Sequence, residues 1–151
     1  MKQFSEEFFK DHYYIYLLIL IIFIASCSAK NNENLGLIID EPYINLPLKG
    51  QMMSAGYFRL VNHSSNSVVL NTMICKGLDV SLHASSVSRD GVMTMKSVQN
   101  ILIEGGSALT FKPGSYHAMI VGLDEFVRTD KVQCSLVIND TQSLPVVFEL
   151  K

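Results

Sequence analysis

The chain has 151 residues and a formal net charge of −2, contains no tryptophan, and is 48% hydrophobic. A chain of this length can build one domain with a substantial buried core. Its acidic and basic residues are mixed along the chain without a basic patch, which argues against nucleic acid as a partner. The lack of tryptophan removes the richest aromatic platform for stacking sugars or bases.

The first predicted element is an apolar run over residues 13–26, preceded by Lys2 and Lys10. It is short for a membrane span and has the length of the hydrophobic region of a signal peptide. It ends in IASC at 24–27, which resembles a bacterial lipobox. The resemblance implies that Cys27 becomes the lipidated first residue of the mature protein, and an uncleaved signal anchor is the alternative. Both predict an exported, membrane-held protein.

We therefore divide the chain into a signal peptide (1–26), a lipid-anchored flexible tether (27–36) and a β-sandwich domain (37–151). The tether sequence after Cys27 is polar and rich in Asn, as expected of a flexible linker. By the usual sorting rule for lipoproteins, Ser28 favours the outer membrane, with the domain on its periplasmic face. The exported part keeps 125 residues, ten of them basic and eleven acidic.

The exported part also contains Cys75 and Cys134, both in strand-like runs. In an oxidising compartment such a pair can form a disulfide, and the alternative is two separate buried thiols. Sequence does not decide between them, because it does not give the distance between the two residues.

From residue 37 onward the pattern is β. Pro42 and Pro47 in segment 37–48 predict an edge strand or an irregular start. Turn signals then recur every ~8–12 residues, which predicts about nine short strands in a sandwich or barrel. The β-like segments after the first are 55–62, 67–75, 79–85, 92–98, 100–104, 107–112, 115–123, 131–139 and 144–151. Segment 124–130 is compatible with a single helical turn.

Four side chains in the second half carry the candidate chemistry: His83, Met95, His117 and Met119. Thioether sulfur is a poor ligand for Zn²⁺, Mg²⁺ or Ca²⁺ but suits Cu(I). Alternation along a strand puts His117 and Met119 on one face, about 7 Å apart. Taken singly, each Met has a simpler interpretation as gap-filling core, and each His as a surface or hydrogen-bonded residue.

The dipeptide Asp90-Gly91 predicts a hairpin that brings His83 near Met95, with the register left open. Met93 shares a face with Met95 by the same alternation. The predicted hairpin, with His83 and Met95, and the strand with His117 and Met119 can thus offer four donor atoms to one ion.

The spacing resembles that of the PCu(A)C family of periplasmic copper chaperones. That family has a His, a Met twelve positions later, twenty-one intervening residues and then His-x-Met. Here His83 is followed by Met95 twelve positions later, and residues 96–116 separate it from His117-Ala118-Met119. The segments GVMTMKSV, FKPGSYHAMIVGL and AGYFRLVNHS are also similar, so the resemblance covers about residues 50–150.

The resemblance implies an all-β, cupredoxin-like Greek-key β-sandwich that binds one Cu(I) through His83, Met95, His117 and Met119. It implies a chaperone that delivers copper to an exported or membrane acceptor, such as the copper centre of cytochrome c oxidase or another copper chaperone. The alternatives are a copper-buffering lipoprotein without a dedicated recipient, and a metal-free structural sandwich. No constellation of catalytic residues stands out, so we expect neither an enzyme nor an organic substrate.

One departure from the family pattern matters, and two further methionines need an interpretation. Ala84 occupies the position where many members carry a second thioether beside the first His, which puts a second copper position in doubt. Met52 and Met53 lie near the start of the domain. A position near the site is one interpretation of both, and ordinary loop or core roles are the favoured one.

Overall fold

The structure is a computed structural model that describes residues 35–123 and 130–151, and these residues form ten β-strands and no helix. The strands are β1 (Leu37–Ile44), β2 (Met53–Asn62), β3 (Val68–Cys75), β4 (Asp79–Val87), β5 (Met93–Ser97), β6 (Ile101–Ile103), β7 (Ala108–Phe111), β8 (Tyr116–Val121), β9 (Lys131–Ile138) and β10 (Gln142–Leu150). The all-β prediction is confirmed, with ten strands rather than about nine.

The strands form one curled sheet in the order β5-β4-β8-β7-β2-β1-β10-β9-β3-β6, and β8 also pairs with β2. Most neighbours are antiparallel, while β1–β10 and β7–β8 are parallel. The curl brings the two halves of the sheet face to face over one apolar core. Phe58 stacks on Phe111 with ring centroids 4.2 Å apart and meets Phe148 edge-on at 5.7 Å.

Alternation along the strands sorts side chains between this core and the outer surface. In β2, Phe58 and Leu60 are buried and Arg59 is exposed, as the sequence pattern predicts. Gly56 lies where β2 approaches β8 closely, because a Cβ there would come within 3.1 Å of Ile120 Cδ1. This close contact holds β2 beside the strand that carries His117.

Strand β1 is irregular rather than an edge. It lies between β2 and β10, and its pairing with β2 shifts register between Asp40 and Tyr43. Glu41 has a positive φ of 49°, so the chain bulges where Pro42 supplies no N–H to the ladder. The edge-strand alternative is therefore wrong, and the irregular start is confirmed.

The two cysteines of the domain form a disulfide. Cys75 and Cys134 lie directly opposite each other in the antiparallel β3–β9 pair, with Cα atoms 4.1 Å apart. Both belong to the core, and the bond between them rules out the alternative of two separate thiols. The bond joins positions 59 residues apart in the chain and leaves neither sulfur as a metal ligand.

Several expectations concern residues outside the described part. The signal peptide (1–26), Cys27 and most of the tether lie there, as does most of the predicted helical turn at 124–130. The segment Asn34–Lys151 forms one compact unit. Among the described residues, the structure contains no helix that meets the length and hydropathy needed to cross a bilayer.

Candidate metal site

Strand pairing brings the four candidate ligands to one face of the sheet. His83 of β4 lies opposite His117 of β8, and Ser81 lies opposite Met119. In the hairpin, Ser85 of β4 lies opposite Met95 of β5. Because side chains alternate, all four candidates point away from the core, whereas Leu82 and Ala118 between them point into it.

The two histidines form the centre of this group. Their ring centroids are 5.7 Å apart and the ring planes differ by 31°. His117 is only 8% exposed, and His83 is partly buried. Buried polar side chains need partners, so the contacts of each ring nitrogen indicate what the pair can bind.

The environment of His117 fixes its tautomer. Its Nδ1 lies 3.1 Å from the backbone carbonyl oxygen of Ser115. A carbonyl oxygen only accepts hydrogen bonds, so Nδ1 carries the proton, and Nε2 of the neutral ring is left with its lone pair. Orientation of a ligating imidazole by a backbone carbonyl is the usual arrangement at metal sites.

His83 has a ring nitrogen without a partner. Its Nε2 lies 2.9 Å from the hydroxyl of Ser81, while its buried Nδ1 has no hydrogen-bond partner among the described residues. If Nε2 donates its hydrogen to the Ser81 oxygen, Nδ1 carries no hydrogen and keeps a free lone pair. Flipping the imidazole ring exchanges the two positions, and one ring nitrogen is still left for another ligand. Burial, and then the nearby His117, lower the pKa of His83, which favours the neutral form that binds metals.

A surface cavity of about 350 Å³ lies beside the histidines. Its lining includes His117, Met95, Met119 and Met53, together with Ala55 and Tyr57. His83 is not part of the lining and lies opposite His117 on the neighbouring strand. Burial, and secondarily Tyr43, raise the pKa of Tyr57, so its phenol is protonated at neutral pH and is not an anionic ligand.

Met95 is the most loosely placed of the four. It is 57% exposed, on the outermost strand of the sheet. Met95 lies two strand spacings and four residue positions away from Met119. On a flat sheet this offset would put the two Cα atoms roughly 16 Å apart. Both methionines nevertheless line one cavity. Convergence on one ion therefore depends on the β4–β5 hairpin.

The donor set is soft. Among residues 35–123 and 130–151, no group of three or more His, Cys, Asp or Glu side chains is placed to hold a metal ion. The imidazole of His117 and the thioethers of Met53, Met95 and Met119 are the nitrogen and sulfur side-chain donors that line the cavity. Such a set carries no negative charge and matches Cu(I) better than Zn²⁺, Mg²⁺ or Ca²⁺.

Two residues that the sequence did not assign to the site also line the cavity. Met53, for which an ordinary role was favoured, begins β2 and lines the cavity. Tyr57, whose role was not foreseen, lines it too. Extending the alternation of β2 back from Phe58 puts both on the outer face, but only the β2–β8 pairing shows that this face adjoins Met119. Ala84 lies on the opposite face from His83.

Residues 37–150 match the model of the LpqE-like family, described as "Putative lipoprotein LpqE-like". No curated protein is similar enough in sequence to count as a relative.

Solved structures with the same fold are PCuAC domains. The copper-bound PCuAC domain from PmoF2 is 17% identical, with a TM-score of 0.61 over 77% of this chain and 92% of that one. The apo PCuAC domain from PmoF1 is 12% identical, with a TM-score of 0.61 over 77% and 93%. Apo-DR1885 from Deinococcus radiodurans is 21% identical, with a TM-score of 0.60 over 83% and 85%. At these identities the likeness shows the fold, and the cupredoxin-like prediction is confirmed.

Proposed function

Because the chain belongs to the LpqE-like family and has the fold of PCuAC domains, we propose that it is a copper(I) chaperone. It binds one Cu(I) through His83, Met95, His117 and Met119 and passes the ion to an acceptor protein. The observation that carries the proposal is the cross-strand pair of His83 and His117 beside a cavity lined by methionines.

The geometry of the histidine pair supports binding. His117 offers a lone pair on Nε2, and His83 has a buried nitrogen without a partner. A buried polar atom left unsatisfied costs about 1–3 kcal/mol, and a bound ion would remove that cost. Binding thus completes a site that the folded protein leaves incomplete.

The thioethers support release. They bind copper more weakly than thiolates do, so an acceptor with two thiolates can take the ion. Met95 is more than half exposed, so the ligands of the acceptor can reach the ion from the side of the β4–β5 hairpin before His117 dissociates from it. This pattern suits transfer better than storage.

The proposed location follows from the N-terminal segment and from the family's lipoprotein description. Cys27 carries the lipid, the domain is exported and lies on the periplasmic face, and Ser28 favours the outer membrane. The acceptor is then another exported or membrane protein, with the copper centre of cytochrome c oxidase as the first candidate. The role is binding and transfer rather than catalysis.

The test is a transfer assay. The Cu(I)-loaded full chain is mixed with the apo copper domain of a cytochrome c oxidase subunit, the two proteins are separated at set times, and the copper bound to the acceptor is measured. A chaperone transfers its ion faster than a small-molecule Cu(I) complex of equal affinity supplies it. Equal rates for the two donors would favour the copper-buffering alternative. No Cu(I) binding at all would favour a metal-free structural role.

A further inference from the structure

The cavity beside the histidines has a third methionine, Met53, on a strand that carries none of the four ligands proposed above. Met53 opens β2, and the β2–β8 register places it opposite Val121, with Ala55 opposite Met119. Alternation puts Met53, Ala55 and Met119 on the same outer face. Met53 thus approaches the site from the side opposite the β4–β5 hairpin.

Met53 lies within reach of Met119. The two are diagonal cross-strand neighbours, a relationship that spans about 7–8 Å and that long side chains can bridge. Ala55, directly opposite Met119, is too small to fill the space between them. Both sulfur-bearing side chains line the same cavity as His117.

Packing does not account for the position of Met53. The side chain is 50% exposed, so it contributes little to the core. An unbranched thioether is flexible enough to turn toward an ion.

We propose that Met53 is a further Cu(I) ligand, which supplies a third thioether from β2. This inference rests on the proposed copper-binding function. Met53 and Met95 then flank His117 from two different strands, so the ion is held from both sides of the cavity.

The test compares methionine-to-leucine variants of the full chain in mild detergent, because leucine keeps the apolar bulk and removes the sulfur. Met52→Leu is the matched control: Met52 precedes β2, is 61% exposed and is not part of the cavity lining. Cu(I) affinity is measured by competition with a chromophoric chelator. We expect Met53→Leu to bind about tenfold more weakly, the lower end of losses at metal sites, and Met52→Leu to match the wild type.

A second measurement observes Met53 directly in the wild-type protein. The protein is labelled with ¹³C-methyl methionine and titrated with Ag(I), a redox-stable substitute for Cu(I). The Met53 methyl resonance, assigned from Met53→Leu, should shift together with those of Met95 and Met119, while that of Met52 stays in place.

The outcomes separate the two proposals. If the wild type binds Cu(I) and His117→Ala does not, but Met53→Leu matches Met52→Leu and the Met53 methyl does not shift, then the chaperone site stands and Met53 is not a ligand. If the wild type does not bind Cu(I), the proposed function fails and the role of Met53 fails with it.

Discussion

His83 and His117 lie directly opposite each other across β4 and β8, with ring centroids 5.7 Å apart, on the outward face of the sheet. Strand pairing alone brings these residues together from distant parts of the chain. Each ring has one nitrogen available to an external partner, since Ser115 engages Nδ1 of His117 and Ser81 engages Nε2 of His83. Strand pairing therefore places two imidazole donors side by side in the copper-free protein.

The first prediction concerns the ionisation of His83. Burial and the neighbouring His117 both lower its pKa in the folded protein, so the unfolded chain binds its proton more readily. The stability contributed by neutral His83 is therefore present above its unfolded pKa of about 6.5 and is lost as pH falls below it through the folded value. NMR titration of the copper-free protein should give a His83 pKa below that of a model peptide.

The contribution of His117 to this shift can be separated. His117→Gln removes the neighbouring imidazole, so the His83 pKa should rise part of the way back toward its ordinary value. His63→Gln, at an exposed position just after β2, is the control and should leave the His83 titration unchanged. A His83 pKa above 6.5 in the wild type would contradict the burial that the structure shows.

The second prediction ranks the thioethers of the proposed site. Met119 is partly buried beside His117, whereas Met95 is 57% exposed on the outermost strand. Ordering an exposed side chain costs entropy, so Met95 contributes less net binding free energy. Met119→Leu should weaken Cu(I) binding more than Met95→Leu does, as measured by chelator competition.

Met93→Leu is the matched control for this ranking. Met93 lies two residues before Met95 on the same face and is 59% exposed, but it is not part of the cavity lining. Its replacement should leave Cu(I) affinity unchanged. A loss at Met93 equal to that at Met95 would show that the hairpin binds copper in a register other than the one described.

The third prediction separates stability from copper binding. The Cys75–Cys134 disulfide closes a loop between positions 59 residues apart. Loop-closure entropy gives such a bond roughly 4 kcal/mol of stabilisation. The double variant Cys75→Ala/Cys134→Ala should lose about this free energy of unfolding in urea, yet retain wild-type Cu(I) affinity under native conditions. A variant that stays folded but binds copper much more weakly would implicate the cysteines in the site.

The fourth prediction concerns Cys27 and the membrane. If Cys27 is the lipidated first residue, growth with labelled palmitate should label the wild-type protein, and Cys27→Ala should abolish the label. Cys75→Ala is the matched control and should keep it, because Cys75 lies in the core of the domain. Labelling that survives Cys27→Ala would refute the lipobox interpretation.

Strand positions could be predicted from sequence, because apolar residues alternate with period two along strands and because Gly, Pro, Asn and Asp mark the turns between them. Asp90-Gly91 indeed closes the β4–β5 hairpin, where Gly91 has a φ of 75° and the Ser88 N–H donates to the Val92 carbonyl. Pro113-Gly114 likewise separates β7 from β8, with Gly114 at a φ of 77°. These signals are local, so a single sequence carries them.

Strand order could not be predicted in the same way, because it depends on contacts between distant segments. The sequence left open both the register of Met95 and the pairing of Cys75 with Cys134. It also gave no means of seeing Met53 beside Met119, because β2 and β8 are joined only in the folded sheet. Alternation along a strand predicts which face each candidate ligand occupies. It does not predict which residue of the neighbouring strand lies opposite that ligand.

The most direct test of the central claim is a Cu(I) competition titration of the full chain with a chromophoric chelator, in mild detergent and with ascorbate as reductant. The account predicts one tightly bound equivalent in the wild type, and its loss in both His83→Ala and Met119→Ala, each shown to be folded by circular dichroism. Absence of Cu(I) binding, or equal affinity in the wild type and both variants, would contradict it.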